Sequence, residues 1–509
     1  MKMWNTSFIQ LMVILSAVVE LAFTQKVVCY LGSWATYRPG DGRFEVEYID
    51  TSLCTHVIYS FVGIGEDGAV NILDTWNDLS TNGGKGALKR FNALKSRNPN
   101  LKTIVAIGGW NQGSATFSRV VNNAGSRKRF VSNAVAFLKE YGFDGFDLDW
   151  EYPAQRGGSP NDKAAFSQLI KELRAEFDKY GFSLSAAVPA SKTSVDTSYD
   201  ISALGQYLDF INIMTYDLHG AWDPVTGHNA PLYARSSETG FASYLNDHAS
   251  IQHWIERGVP RQKLILGVPS YGRTWTLMSM SNSGVGAPAR GAGNPGGFTS
   301  EAGMIGYNEL CLAIKQGGWA VHWDKEQKVP YAVKGNQWIS YDSLESIKIK
   351  AEYALKEHLG GVMLWSLETD DFHGFCDGIK YPILNTINNV FRTSTSNFPA
   401  ENPNISPEED KEENSHNSSG EDKKEDFTGN SNSEPSEGLC KTVGYEEDPN
   451  DCSRFYYCSV ASGKIIPTLF KCPEGLAFDK RQDKLDVGIT FTVSKQHEII
   501  DGHWGKTVK

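Results

Sequence analysis

The chain has 509 residues, 40% of them hydrophobic and 12% aromatic, with a formal charge of −11. That length accommodates a large core and more than one domain. The acidity is local: residues 401–438 hold twelve Asp and Glu against three Lys, and the remainder is close to neutral, which excludes the basic stripe of a nucleic-acid-binding surface and points to an uncharged ligand.

The N-terminus, MKMWNTSFIQLMVILSAVVELAFTQ, reads as a secretory signal peptide over 1–24. Lys2 supplies the positive start, Phe8 to Phe23 is mostly apolar, and Ala22 and Thr24 are small residues where a signal peptidase cuts. An anchoring helix is the alternative, but Gln10 and Glu20 interrupt the run, and no later stretch is long enough to span a bilayer. The expectation is a secreted, extracellular protein, detached from the membrane. Eight cysteines fit that compartment. Cys29, Cys54, Cys311 and Cys376 are spread over the large part, whereas Cys440, Cys452, Cys458 and Cys472 crowd into the tail.

From residue 25 onward, short apolar β-rich runs recur at 26–31, 56–62, 103–108, 145–150, 182–188, 210–216, 264–269 and 361–366. Amphipathic helical segments lie between them, most clearly at 127–141, 163–180, 244–256 and 342–357. Eight buried strands alternating with helices predict an α/β fold, a (β/α)8 TIM barrel over 25–392. About seventy residues after the seventh strand, roughly 271–340, break the spacing and predict an inserted α+β subdomain walling a cleft. Residues 393–438 are too polar to form a core and read as a disordered acidic linker. Asn404 and Asn417 open glycosylation sequons within it. The stretch 439–483 reads as a small cysteine-rich module, and 484–509 as an atypical tail.

The fourth strand carries the chemistry. It lies in FDGFDLDWEYP, residues 143–153. Alternate residues of a strand share a face, so Asp147, Asp149 and Glu151 point one way and Phe146, Leu148 and Trp150 the other. The one-three-five spacing of the acids suggests a calcium loop, but Tyr152 stands where such a loop needs Gly and Gly158 where it needs Glu. No metal and no cofactor are therefore expected. A solvated charge run is also excluded, because the acids are interleaved with large apolar residues. What remains is acid catalysis: crowding keeps one carboxyl protonated near neutral pH, and a protonated Glu donates to a glycosidic oxygen. Glycosidases mostly use two separated carboxyls, yet only Asp217 stands at another strand end. A sugar bearing an N-acetyl group supplies its own nucleophile, the amide oxygen.

FDGFDLDWEYP resembles the Asp-x-x-Asp-x-Asp-x-Glu signature of glycoside hydrolase family 18, the chitinases. LKTIVAIGGW at the third strand, NIMTYDLHGAW at the sixth, KLILGVPSYGRTW at the seventh and GGVMLWSLETDD at the eighth extend the resemblance. It implies that Glu151 is the proton donor, that Asp149 orients the acetamido group, that Asp147 exchanges a proton with Asp149, and that Tyr216 hydrogen-bonds the attacking acetamido oxygen. It also implies that Trp365 floors the subsite of the reacting sugar, and that Trp34, Trp76, Trp110 and Trp222 stack on sugars along the cleft. Met214, Asp217, Tyr271 and Arg273 would line that cleft, and Asp144 would be structural. The resemblance pairs Cys29 with Cys54 and Cys311 with Cys376.

The tail resembles a peritrophin-type chitin-binding module up to about Asp483, where two further cysteines of that family are missing. Weak chitin binding by this incomplete module is the expectation. The function implied is a secreted, retaining, endo-acting chitinase acting on chitin and N-acetylglucosamine oligosaccharides, as a monomer. A non-catalytic chitin-binding lectin or growth-factor-like member is the alternative, disfavoured by the presence of Glu151. A third reading, the chitobiose core of N-glycans as substrate, is disfavoured by the cleft-walling insertion and the row of Trp residues.

Overall fold

The computed structural model describes residues 25–396 and five short strands nearer the C-terminus. The expected signal peptide, most of the linker, both sequons and the side chains of the tail cysteines lie outside the described residues. The chain divides into two units between Glu401 and Asn402.

Eight parallel strands form the first unit's centre. They are β1 (Lys26–Gly32), β2 (His56–Ile64), β3 (Lys102–Gly108), β4 (Gly145–Asp149), β5 (Ser183–Pro189), β6 (Phe210–Met214), β7 (Leu264–Pro269) and β8 (Gly361–Trp365). Each pairs with its sequence neighbours, and β1 pairs with both β2 and β8, which closes the sheet into a barrel. One face of every strand packs under the helices. Phe146, Leu148 and Trp150 join Leu184, Ala186, Ile211 and Ile213 in that layer. The opposite face fills the barrel interior with Val28, Tyr30, Ile58, Ile104, Ala106, Phe210 and Met363.

The helices start where a side chain can satisfy a free backbone donor. The Asn123 side chain accepts from the Ser126 N–H to open Ala124–Tyr141, and Asn246 does the same for Asp247–Glu256. Ser343 and Ser346 cap each other's backbone at the start of Leu344–Lys356. Among the described residues no helix is long and apolar enough to cross a membrane.

The insertion after β7 is an antiparallel sheet with one helix, Tyr307–Lys315. Strand Tyr271–Leu277 pairs with Ala289–Ala292, Met304–Gly306 and Gln337–Ser340, and the sheet continues through Val329–Lys334 to Ala320–Asp324. Its own small cores contain Trp275, Leu277 and Trp338, and Leu310, Ala332 and Ile339. Disulfides join Cys29 to Cys54 and Cys311 to Cys376.

Most boundaries move by a few residues from expectation, and three of the shifts bear on the site or the domain limit. β4 ends at Asp149, whose carbonyl accepts the Gly109 N–H at 2.8 Å as the last bond to β3; Trp150 and Glu151 lie beyond the ladder. β6 ends at Met214, where the Thr215 N–H turns back to the Ile213 carbonyl at 2.8 Å. The last helix, Pro382–Ser396, runs past residue 392, carrying Val390 and Phe391 into the core.

In the second unit, strands Gly444–Glu447, Arg454–Ala461 and Lys464–Lys471 form an antiparallel sheet. Ala477–Phe478 pairs with Phe491–Thr492, a strand contributed by the atypical tail.

Candidate active site

The acids stand at the C-terminal end of β4. Asp147 and Asp149 are buried and face the barrel interior, as the alternation requires. Three strands converge on Asp147. The Tyr30 hydroxyl from β1 donates to its Oδ2 at 2.7 Å, the Ser185 hydroxyl from β5 to its Oδ1 at 2.6 Å, and Asn212 Nδ2 from β6 to the same oxygen at 3.3 Å. Burial nonetheless outweighs these bonds and pushes the Asp147 carboxyl up to about 6. Asp149 is the opposite case. Its Oδ1 is buried and finds no hydrogen-bond partner among the described residues. Burial, with the charges of Glu151 and Asp147 beside it, raises its carboxyl well above the usual range.

Glu151 is only partly buried and reaches the open end of the barrel. Burial pushes it up to about 7, against the hydrogen bond from Tyr152 and the charge of Arg156, with Asp217 adding to the rise. Arg156 also fixes the turn, donating to the Glu151 carbonyl at 2.8 Å. From the other side, Trp150 Nε1 donates to Ser114 Oγ at 3.0 Å, and the Ser114 hydroxyl donates to the Tyr152 carbonyl at 2.9 Å. Three carboxyls in a row thus hold a proton near neutral pH, and one of them opens to the cleft.

Tyr216 follows β6. Its buried hydroxyl has the Met363 sulfur at 3.7 Å, a weak acceptor. Burial, then the neighbouring Tyr271, Asp149, Asp217 and Glu151, raises its pKa well above the ordinary range, so it remains a donor. Asp217 is locked beside it. Arg273 grips its carboxylate with Nε and Nη2, both at 2.7 Å, and the Tyr271 hydroxyl donates at 2.6 Å. Met214 packs against the interior cluster below.

The tryptophans divide by exposure. Trp150, Trp254, Trp275 and Trp338 are fully buried, whereas Trp34 (45%), Trp76 (55%), Trp110 (58%) and Trp222 (59%) offer their rings to solvent. Trp365 ends β8 and is partly buried, with Tyr30 at 5.4 Å, Phe61 at 5.8 Å and Trp34 at 6.2 Å between ring centroids. The Arg156 guanidinium covers one face of Trp110 at 3.5 Å, and Arg273 lies 5.1 Å from Trp222. Asp144 belongs elsewhere: it accepts from Lys95 Nζ at 3.0 Å and the Thr103 N–H at 2.9 Å, at the closed end of the strand.

Tyr30, Ser185 and Asn212, the partners of Asp147, are not among the residues expected from the sequence. Asn212 carried a signal, a polar residue on the interior-facing register of the apolar strand FINIM. Phe61 carried none, because the register of β2 shifts between Ser60 and Val62 and the alternation fails there.

Residues 26–370 match the family described as Glycosyl hydrolases family 18. The chain belongs to glycoside hydrolase family 18. It is a glycoside hydrolase by that membership, and residues 440–484 match the Chitin binding Peritrophin-A domain. It is 40% identical to Chitotriosidase-1 of Mus musculus over 473 residues, covering 90% of this chain and 95% of the mouse protein. Among solved structures, the group IV chitinase of Ostrinia furnacalis in complex with allosamidin is 46% identical with a TM-score of 0.70, covering 72% of this chain and 99% of that one. Human YKL-39, described as a pseudo-chitinase with retained chitooligosaccharide binding properties, is 36% identical with a TM-score of 0.67, covering 72% and 100%. This member of family 18 is therefore similar both to enzymes and to a binding protein, and the acids at β4 become the feature to weigh.

Proposed function

We propose that this chain is a secreted chitinase that hydrolyses β-1,4-linked N-acetylglucosamine polymers from within, with retention and with the substrate's acetamido group as nucleophile. The observation that carries the reading is the pairing of Glu151 with Asp149. Glu151 is a cleft-facing carboxyl with a raised proton affinity, suited to protonating the glycosidic oxygen. Asp149 presents a buried oxygen that lacks a donor, suited to accepting the acetamido N–H and turning its oxygen toward the anomeric carbon. Tyr216 then donates to that oxygen as charge develops, and Asp147 takes up the proton redistributed from Asp149.

Among the described residues, the second carboxyl at the cleft is not free, which supports this mechanism over the two-carboxyl route. Asp217, the other acid at the cleft, has both oxygens committed to Arg273 and Tyr271. The exposed rings of Trp34, Trp76, Trp110 and Trp222, with Trp365 at the floor, suit stacking on successive sugars, and the insertion walls the cleft for a long chain. Secretion rests on the apolar N-terminal segment and the two disulfides. Residues 440–484 would supply chitin affinity through the Peritrophin-A domain.

The test is a time course on N-acetylglucosamine oligomers with the anomers resolved. Early products should be internal fragments carrying the β-anomer. Early α-anomer would remove the retaining mechanism, and release of single terminal units the endo action. Oligomer binding without any cleavage would place the chain with the binding proteins of the family.

A further inference from the structure

Asp217 is an aspartate in the left-handed region, with φ +56°. A side chain other than glycine rarely adopts that conformation unless its surroundings impose it. The restraint comes from Asn229, a buried residue of the loop between β6 and β7. Asn229 Oδ1 accepts the Asp217 N–H at 2.9 Å, its carbonyl accepts the Leu218 N–H at 3.0 Å, and its Nδ2 donates to the Tyr271 carbonyl at 3.4 Å. One side chain therefore ties Asp217 to the strand that carries its two partners, Tyr271 and Arg273.

Asn229 is itself held from two sides. Its N–H donates to Ser340 Oγ of the insertion at 2.9 Å. The next residue, Ala230, gives its carbonyl to Lys350 Nζ at 2.6 Å. Lys350 is fully buried in the helix Leu344–Lys356, with Asp342 Oδ2 at 2.9 Å and Asp247 Oδ2 at 3.4 Å. A buried ammonium is tolerated only with such partners, so the carbonyl of Ala230 is pinned to a rigid part of the barrel.

We propose that Asn229 is a positioning residue for the reaction: it holds Asp217 in the backbone conformation that delivers its carboxylate to Tyr271 and Arg273 beside Glu151. The inference rests on the hydrolytic function proposed above. Its consequence for chemistry is electrostatic. Glu151 is faced by Asp149 from β4, by Tyr152 and Arg156 after it, by Tyr199 and by Tyr216, and by Asp217 from the loop that Asn229 anchors. Asp217 is the member of this group whose place depends on Asn229, and its negative charge favours protonated Glu151.

The experiment measures kcat and KM of the full chain on a soluble N-acetylglucosamine oligomer across pH, with thermal melting as a folding control. Asn229→Ala should lower kcat roughly ten- to a hundredfold, the scale of a displaced catalytic constellation. It should also move the high-pH limb of kcat to lower pH, because Glu151 loses the supporting charge. Asp217→Asn should move the limb the same way. In that background Asn229→Ala should add little, since the two changes remove one interaction. Additive losses with an unmoved limb overturn the proposal, as does full turnover in folded Asn229→Ala. If Asn229→Ala does not fold, Ser340→Ala carries the same test: it should shift the limb in the same direction by less, and an unchanged profile overturns the proposal. A wild-type chain without turnover overturns the hydrolytic function, and this inference with it.

Discussion

Glu151 and Asp149 stand two residues apart, yet their surroundings assign them different chemistry. Glu151 is pushed up to about 7 chiefly by burial. An acid that must be protonated to act loses its active form as pH rises through its own pKa. Turnover should therefore hold on the acid side and fall as pH rises past about 7, which a kcat–pH profile reads directly. Glu151→Gln keeps the shape and loses the proton; kcat should drop by roughly 10²–10⁴-fold while oligomer binding, measured by calorimetry, persists. Unchanged turnover would remove Glu151 from the mechanism. At this scale the acids were legible from residue type and spacing. Their partners were not, because Tyr30, Ser185 and Asn212 sit on three other strands and meet Asp147 only when the barrel closes.

Elements meet closely at the end of β3, and Gly108 shows how closely. It has φ +117°, and a Cβ there would lie 2.1 Å from the Asp149 carbonyl oxygen. The same carbonyl accepts the Gly109 N–H, the last bond between β3 and β4. Gly108→Ala should force β3 away from β4 just below Glu151. The expected outcome is a destabilisation of about 1–3 kcal/mol from backbone strain alone, seen in denaturant unfolding, together with a kcat loss that exceeds any rise in KM. A substitution that melts normally and turns over normally would show that the strand ends can part without harm. The strands themselves were readable as eight apolar runs. Where β4 and β6 stop was not, since β4 stops with its last bond to β3, on another part of the chain, and β6 at the turn of the Thr215 N–H onto the Ile213 carbonyl.

For the whole molecule, the last helix decides where the catalytic unit can be cut. Truncation after Ser396 leaves Pro382–Ser396 intact and should preserve turnover of soluble oligomers; a cut at 381 removes Leu384, Ile387, Val390 and Phe391 from the core and should cost the fold. An inactive but folded Ser396 truncation would contradict the independence of the barrel. Stability should also depend on pH in a defined direction. Burial raises Asp78 and Asp147 to about 6 and Asp247 and Asp370 to about 7. The folded chain then binds more protons than the unfolded one between about pH 4 and 7. Their contribution is complete below the unfolded carboxyl range and is lost as pH rises through 6 to 7. Glu45, held down to about 2 against its own burial by Lys85, Arg43 and Thr36, works the other way, but only as pH falls below the usual carboxylate range. The melting temperature should therefore be higher near pH 5 than near pH 8; a flat or opposite trend would show that folding does not raise the proton affinity of these carboxyls.

The sequence alone determined the repeating strand–helix order, the interior face of β4, the cysteine-bearing segments and the family signature, because each depends on residues close in the chain or on local periodicity. Tertiary structure decided the rest. It selected which tryptophans are core and which are exposed, committed both oxygens of Asp217 to Arg273 and Tyr271, left Asp149 with an oxygen lacking a donor, and ran a brace from Lys350 to the carbonyl of Ala230, next to Asn229. Those outcomes depend on groups far apart in sequence sharing a volume from which water is excluded. Proton affinities and side-chain orientations are set there by neighbours that local periodicity does not record.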